Sequence, residues 1–431
     1  MASIKERNGS YLIIVSNGYD YKGKKIRETT TYIPKATTPK AIEKEVKKFA
    51  EDFEDRVKNG EYYSGEKITF EEMYHIWKKN WLDRSDLTVA VKEQYIEKLE
   101  TRVIPKIGHM KMSKIRGVHI DEVLNDLTDT GLSPSTVKKY LVCIRSVFNY
   151  AFKKEYIKEN PCLRCDPPKM KSKGNELHYF TPDQATRFLD FLDEEFEVTA
   201  KARTRTDSSG KRYNVKSYTY TMRPSPMFKA FYHLAVYGGF RRGEICALTW
   251  SDIDIENQTV SINKAVSKTK EFGQIIKEPK TPTSIRTIKV PKVCIDALQE
   301  WKKEEISLSF KLGTQWRGTR GDKFDQNYIF IDQTDGTVMD VHTASNKFKE
   351  LIERYNMTVD EEDQKLPNIR LHDLRHTSAT LLLASGSDIE TVSHRLGHSK
   401  ASVTLDVYGH AMESTDQKAS DILETVLCKR A

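Results

Sequence analysis

No run of roughly eighteen or more apolar residues occurs anywhere in the 431-residue chain, so no segment is suited to cross a bilayer as a helix. The first thirty residues lack the basic-then-apolar layout of a secretory signal, and a cytoplasmic protein with no membrane partner is expected. Cysteine is scarce and scattered (Cys143, Cys162, Cys165, Cys246, Cys294, Cys428), which suits a reducing compartment better than a disulfide framework. Cys162 and Cys165 form a CxxC without a second pair at zinc-site spacing, so two ordinary thiols near a linker are expected there rather than a structural zinc. GxxxxGK[ST], HExxH and acidic metal clusters are all missing, and no cofactor is expected. Internal repeats and low-complexity tracts are missing too.

What is present allows two or three domains: 38% of residues are apolar, enough for real cores, and 31% are charged. Net charge is +8, and its distribution says more than its total. Residues 1–40 hold eight Lys and Arg against three Asp and Glu; residues 198–223 hold seven against one. Tyr11, Tyr19 and Tyr21 interleave with the first group, and Tyr213, Tyr218 and Tyr220 with the second. Such segments fit a polyanion surface, and equally a solvated loop.

Pattern divides the chain into three segments. In residues 1–62, 10–16 reads as a strand, Asn17-Gly18 as a turn and 25–33 as a second strand rich in β-branched residues. Thr38-Pro39 then opens a helix to about Lys58, with proline in its first turn and Gly60 just past its end. Residues 66–170 read as helical throughout. Thr69 with Glu72 makes a capping-box pattern, and Phe70, Met73, Tyr74 and Trp77 share one face. Ser133-Pro134 opens another helix, whose apolar residues from Val137 to Ala151 recur at threes and fours. Between them Ile104-Pro105-Lys106-Ile107-Gly108 reads as a break, and Pro167-Pro168 with the lysines up to Gly174 reads as a basic linker. Residues 178–431 are mixed: a helix from Thr181-Pro182, a hairpin over 253–262 with Asn257 at its turn, a strand over 286–290, and mostly helix beyond. The predicted class is multidomain α+β: a small N-terminal β-sheet plus helix, an all-helical middle domain, and a mainly helical third domain with a small antiparallel sheet.

Five short motifs lie in order along the third segment. They are Gly239-Phe240-Arg241-Arg242-Gly243-Glu244, Pro279-Lys280-Thr281, His372-Asp373-Leu374-Arg375-His376-Thr377, Leu396-Gly397-His398-Ser399 and Val407-Tyr408-Gly409. Together they resemble the tyrosine recombinase, or phage integrase, family, whose active site combines two arginines, a lysine, two histidines and a tyrosine nucleophile. Those positions fall on Arg241, Lys280, His372, Arg375, His398 and Tyr408, spread over about 170 residues.

The chemistry suits the resemblance. A phosphodiester under attack gathers negative charge on its non-bridging oxygens, which planar, permanent cations meet with paired hydrogen bonds. Arg241 and Arg375 make such a clamp. His372 and Arg375 share a face near the positive end of a helix read over 371–385. Ser387, with Glu390 three residues on, reads as the next cap, leaving His398 just past that helix. A phenol with an ordinary pKa of about 10 needs a base and cationic surroundings. His372 is the candidate base for Tyr408 and His398 the donor to the phosphate; by the resemblance, Lys280 is the acid for the leaving 5′ oxygen. A 3′-phosphotyrosine and a free 5′ hydroxyl would result without ATP or metal. Arg242 rivals Arg241, and Lys264, Lys268, Lys270, Lys277 and Lys289 crowd the region of Lys280. Glu244 and Asp373 read either as carboxylates orienting the arginines or as helix-surface charges; His376 reads as a packed helix histidine and His410 as a surface one.

The resemblance implies more. Residues 1–62 are similar to the three-stranded arm-type DNA-binding domain, residues 66–170 to the core-binding domain, and residues 178–431 to the catalytic domain. The partners implied are double-stranded DNA at core and arm-type sites, three further copies in a homo-tetramer, an excisionase and a host DNA-bending protein, for integration and excision of a mobile element or prophage at the nucleoid. A type IB topoisomerase-like enzyme and a non-catalytic DNA-binding regulator are the rival readings. The stretch 199–226 is longer than the family's usual connection; an added hairpin in 211–221 would touch DNA or a neighbouring protomer, or the stretch is disordered. From Ser414, Ala419, Ile422, Leu423, Val426 and Leu427 make a helical stripe that packs on its own domain or on the next protomer.

Overall fold

Asn8-Gly9, a dipeptide that the strand pattern alone passes over, makes the first turn of the chain. Both residues have positive φ (46° and 76°), the backbone of a tight hairpin turn. They join β1 (Ser3–Arg7) to β2 (Ser10–Tyr19). The turn expected at Asn17-Gly18 is instead an irregularity inside β2: pairing with β3 (Lys25–Tyr32) shifts register between Ser16 and Tyr19, where Gly18 takes φ 80°. The sheet order is β1-β2-β3. Helix α1 (Pro39–Lys58) lays Ala50, Phe53 and Val57, one helical stripe, over Ile13 and Val15, which alternate on β2. The computed structural model describes residues 2–19, 23–59, 67–167, 177–206, 209–277, 285–318, 327–398 and 400–408, with Glu424 and Leu427. It divides into two units, Met1–Ser172 and Lys173–Ala431.

A second core in the first unit is all helical: α2 (Phe70–Trp77), α3 (Val89–Lys98), α4 (Ile104–Ile107), α5 (Gly117–Asp129) and α6 (Pro134–Lys153). The Thr69 capping box forms, with the Glu72 N–H donating to Thr69 Oγ1 (3.2 Å) and the Thr69 N–H to Glu72 Oε2 (2.9 Å). Phe70, Met73, Tyr74 and Trp77 are fully buried. The expected break at Pro105 is absent. A wide five-residue turn, Leu99–Val103, carries α3 into α4, and Pro105 falls in the first turn of α4, where its missing N–H costs nothing. Cys162 is buried, and the Cys165 thiol donates to its carbonyl oxygen (3.2 Å). The basic linker after Pro167 lies outside the described residues.

In the second unit α7 (Pro182–Phe191) begins at a capping box between Thr181 and Gln184. The hairpin expected in 211–221 is a longer two-tier ribbon. β4 (Phe196–Ala200) pairs with β7 (Tyr218–Met222), and β5 (Arg203–Thr206) with β6 (Arg212–Val215). Phe196 and Val198 root the inner tier in the core, while β5 is exposed along its length. Helix α8 (Pro226–Gly238) is buried on nearly every side and leads into α9 (Arg242–Cys246). β8 (Ile253–Asp254) and β9 (Thr259–Ile262) form the expected hairpin, with positive φ (55°) falling on Gln258. A ribbon of β10 (Ala265–Thr269) and β11 (Gly273–Lys277) follows, and β12 (Arg286–Lys289) completes the sheet order β12-β9-β8. The helices α10 (Lys292–Leu312), α11 (Val341–Thr358), α12 (Asp373–Ala384), α13 (Ile389–Leu396) and α14 (Ala401–Tyr408) follow. The cap of α13 is Asp388, whose carboxylate accepts from the Thr391 N–H (2.8 Å), not Ser387; Gly386 (φ 95°) and Ser387 are used up in the turn before it. The stripe from Ser414 lies outside the described residues except for Leu427. Among the described residues no helix is long and apolar enough to cross a membrane.

Thr69→Ala removes one arm of the α2 capping box. It is expected to cost about 1 kcal/mol, read as a lower urea midpoint of the first unit with an unchanged slope.

Candidate active site

Helix α8 ends at Gly239 in the left-handed conformation (φ 64°), where a Cβ would come within 3.0 Å of Leu396 Cδ2. The turn delivers Arg241 to the N-cap of α9. Glu244, three residues on, accepts the Arg241 N–H at Oε2 (2.9 Å) and its guanidinium at Oε1 (2.8 Å). The same carboxylate accepts from Arg286 Nη2 (2.8 Å). Arg286 comes from an inward-facing position of β12, and its Nε donates to the Arg395 carbonyl (2.8 Å). Burial works against the Glu244 carboxylate, but Arg286 and then Arg241 outweigh it and hold its pKa below the usual range. Gly397, left-handed at φ 66°, lies against Arg286: a Cβ there would be 2.8 Å from its Nη1. The Gly397 carbonyl accepts from Arg241 Nη2 (3.3 Å), which places His398 beside the arginines.

On α12, Arg375 is buried and donates from Nη1 to the Gly239 carbonyl (2.8 Å). Its Nη2 is buried with no hydrogen-bond partner among the described residues. Burial, then the Arg241 charge, pull its pKa down to about 9, still cationic at neutral pH. A buried cation with a spare donor is an incomplete arrangement that an anion would complete. Tyr408, the last residue of α14, is 1% exposed. Burial pushes its phenol up to about 12 against the opposing pull of Arg375 and Arg241.

Arg241, His372, Arg375, His398 and Tyr408 therefore share one electrostatic neighbourhood. Lys280 lies outside the described residues, in the segment between β11 and β12. Of its rivals, Lys264 is held by Asp252 (2.7 Å) and Thr249 (3.1 Å), and Lys268 pairs with Asp340. Arg242 turns away to Ser345 Oγ (2.8 Å). Asp373 is buried but binds Arg370 (Nη2 to Oδ1, 3.0 Å) rather than either clamp arginine. The histidines of α12 are placed differently from the expectation. His372, expected to be the base for Tyr408, makes no hydrogen bond to it among the described residues. His376, expected to be mere packing, does, with Nδ1 2.7 Å from the Tyr408 oxygen. One turn of α12 separates the two histidines, and the helix directs the later one toward α14. His398 uses its Nδ1 on Thr404 Oγ1 (2.9 Å), a fully buried hydroxyl of α14. Arg286 was not singled out by the motifs, although an arginine at a core-facing position of an alternating strand is itself a signal that a buried carboxylate is nearby.

Residues 218–415 match the Phage integrase family, and residues 70–166 match the Phage integrase central domain. The chain belongs to the phage integrase family. It is a tyrosine site-specific recombinase. The ICEBs1 integrase of Bacillus subtilis is 26% identical over 99% of this chain and 100% of its own length. The XerC-like tyrosine recombinase of Caldanaerobacter subterraneus is also 26% identical, over 97% of each chain. Among solved structures, the Tn1549 transposon integrase in complex with a circular intermediate DNA superposes with a TM-score of 0.62 at 20% identity, over 83% of this chain and 99% of that one; the fold of the recombinase is thus shared.

Glu244→Gln would remove the carboxylate charge that faces the buried Arg286 guanidinium. It is expected to destabilise the second unit by about 3–5 kcal/mol, read by thermal unfolding. The pKa of His398 is held down to about 4 by burial and then by Arg375, Arg241 and Arg286. The unfolded chain, with an ordinary histidine value of about 6.5, therefore takes up the proton first. The stability this residue contributes is complete above that value and is lost as pH falls toward 4. The melting temperature of His398→Gln is expected to fall less than that of wild type across this window.

Proposed function

We propose that this recombinase integrates and excises a mobile element, using the Tyr408 hydroxyl to attack a DNA phosphate, forming a 3′-phosphotyrosine and releasing a 5′ hydroxyl. The bond energy is conserved in the covalent link, and attack by a second 5′ hydroxyl rejoins the strands. The observation that carries this reading is the buried, unpartnered Arg375 Nη2 in the same neighbourhood as the Tyr408 phenol. A phosphate oxygen is the acceptor that this donor lacks. Arg241 supplies the second guanidinium and His398 a hydrogen bond to the phosphate. His372, exposed at the N-cap of α12, faces the incoming duplex, and Lys280 protonates the leaving 5′ oxygen.

The mobile-element role is supported by relatives along the whole chain, the ICEBs1 integrase among them, and by the Tn916 transposase of Enterococcus faecalis, 23% identical over 71% of this chain and 66% of its own length. In this reading residues 1–62 read arm-type sites, with their excess of Lys and Arg meeting phosphates. Residues 66–170 and 178–431 engage the core site. Four protomers assemble on DNA in the cytoplasm, at the nucleoid, with an excisionase and a host DNA-bending protein setting direction.

The test is a nicked suicide duplex carrying the element's end. Wild type is expected to form a denaturation-resistant adduct, while Tyr408→Phe binds the same duplex without forming one. An adduct in the variant would mean that another residue attacks. Relaxation of a supercoiled plasmid that lacks the site would favour a topoisomerase-like activity instead.

A further inference from the structure

Tyr408 is 1% exposed, so its proton has no direct route to bulk water when the phenol attacks. It must pass to a group in contact. Three imidazoles surround the site, and they are differently engaged. His398 spends Nδ1 on Thr404. The His372 ring lies 5.3 Å from that of His376, edge-on at 88°, without a hydrogen bond to the phenol among the described residues. His376 has Nδ1 2.7 Å from the Tyr408 oxygen, with the rings 5.5 Å apart. We propose that His376 is a catalytic residue, the base that takes the Tyr408 proton during cleavage and returns it during rejoining. This rests on the reading of Tyr408 as the nucleophile.

The surroundings suit the task. The groups facing His376 are Tyr408 from α14, His398 from the end of α13, and His372, Asp373, Arg375 and Arg370 from its own helix and the residues before it. Burial lowers its pKa, Asp373 opposes this and the two arginines add to it, so the ring is neutral at neutral pH. With Nε2 carrying the ring proton, Nδ1 presents a lone pair to the phenol. In cleavage the Tyr408 Oη–P bond forms and the P–O5′ bond breaks. The phenolic proton moves to His376 Nδ1, and the 5′ oxygen takes a proton from Lys280. Rejoining runs both transfers backwards, so no proton is left over. Asp373, close enough to favour the imidazolium, helps to stabilise the charge that forms.

The experiment is single-turnover adduct formation on the suicide duplex by the full chain, across pH, with gel-shift binding measured alongside. His376→Ala and His376→Gln are both expected to bind DNA like wild type and to cleave about 10²-fold or more slowly. In wild type the rate should fall on the acid side as His376 is protonated. In His376→Ala that limb should disappear, with the rate rising about tenfold per pH unit as Tyr408 ionises unaided, and added imidazole should restore activity. His372→Asn should keep the acid limb. Wild-type rates in either His376 variant, a slow rate that only tracks lost binding, or an acid limb that survives in His376→Ala would overturn the assignment. Tyr408→Phe separates the two readings: an adduct there removes the nucleophile itself, whereas its absence beside a fully active His376→Ala removes only the base.

Discussion

The carboxylate of Glu244 lies between Arg286, which is sealed from water, and Arg241, which is about two-fifths exposed. Neither ion of a buried pair is tolerated alone, because an uncompensated charge in the interior costs several kcal/mol. The partners must therefore stay in register, and they come from the α8–α9 turn and from β12, with the chain around Gly397 closed over both. Arg241 is positioned by this arrangement. So is His398, which follows Gly397, and through Thr404 so is the helix that bears Tyr408. A pair of this kind contributes little net stability, but it ties several parts of the site to one geometry.

That geometry concentrates positive charge. Arg241, Arg375 and Arg286 lie within electrostatic reach of one another and of the Glu244 carboxylate. The excess is offset in part by burial of their hydrogen-bonding groups on carbonyl oxygens, of Gly239, Gly397 and Arg395. Arg375 Nη2 has no acceptor among the described residues. Cations fixed in advance need not rearrange as negative charge develops between them, which is how fixed dipoles and cations accelerate a reaction most effectively.

Much of the fold is legible in the sequence alone. The apolar stripes of α1, α2 and α6 and the caps at Thr69, Ser133 and Thr181 are local signals, and the structure follows them. The α+β class followed from the same patterns. The misreadings share a cause: each was decided by something beyond the local window. Pro105 looked like a stop because its effect on the helix depends on whether the preceding turn widens. Asn17-Gly18 looked like a turn, but pairing with β3 continues past it. Asp373 reads either as a carboxylate orienting an arginine or as a helix-surface charge; it is buried and binds Arg370 three residues upstream. The contacts of Arg286 with Glu244 and of His376, read as a packed helix histidine, with Tyr408 join residues far apart in sequence, and no spacing rule reports them.

Thr404 and Tyr408 are four residues apart, one turn of α14, and therefore point the same way. Two imidazoles from different parts of the chain grip that one face, His398 at the first position and His376 at the second. A rotation or slide of this short helix would thus disturb both contacts together. The His398 and His376 contacts cannot drift independently, so a substitution that shifts α14 should loosen both at once rather than one alone.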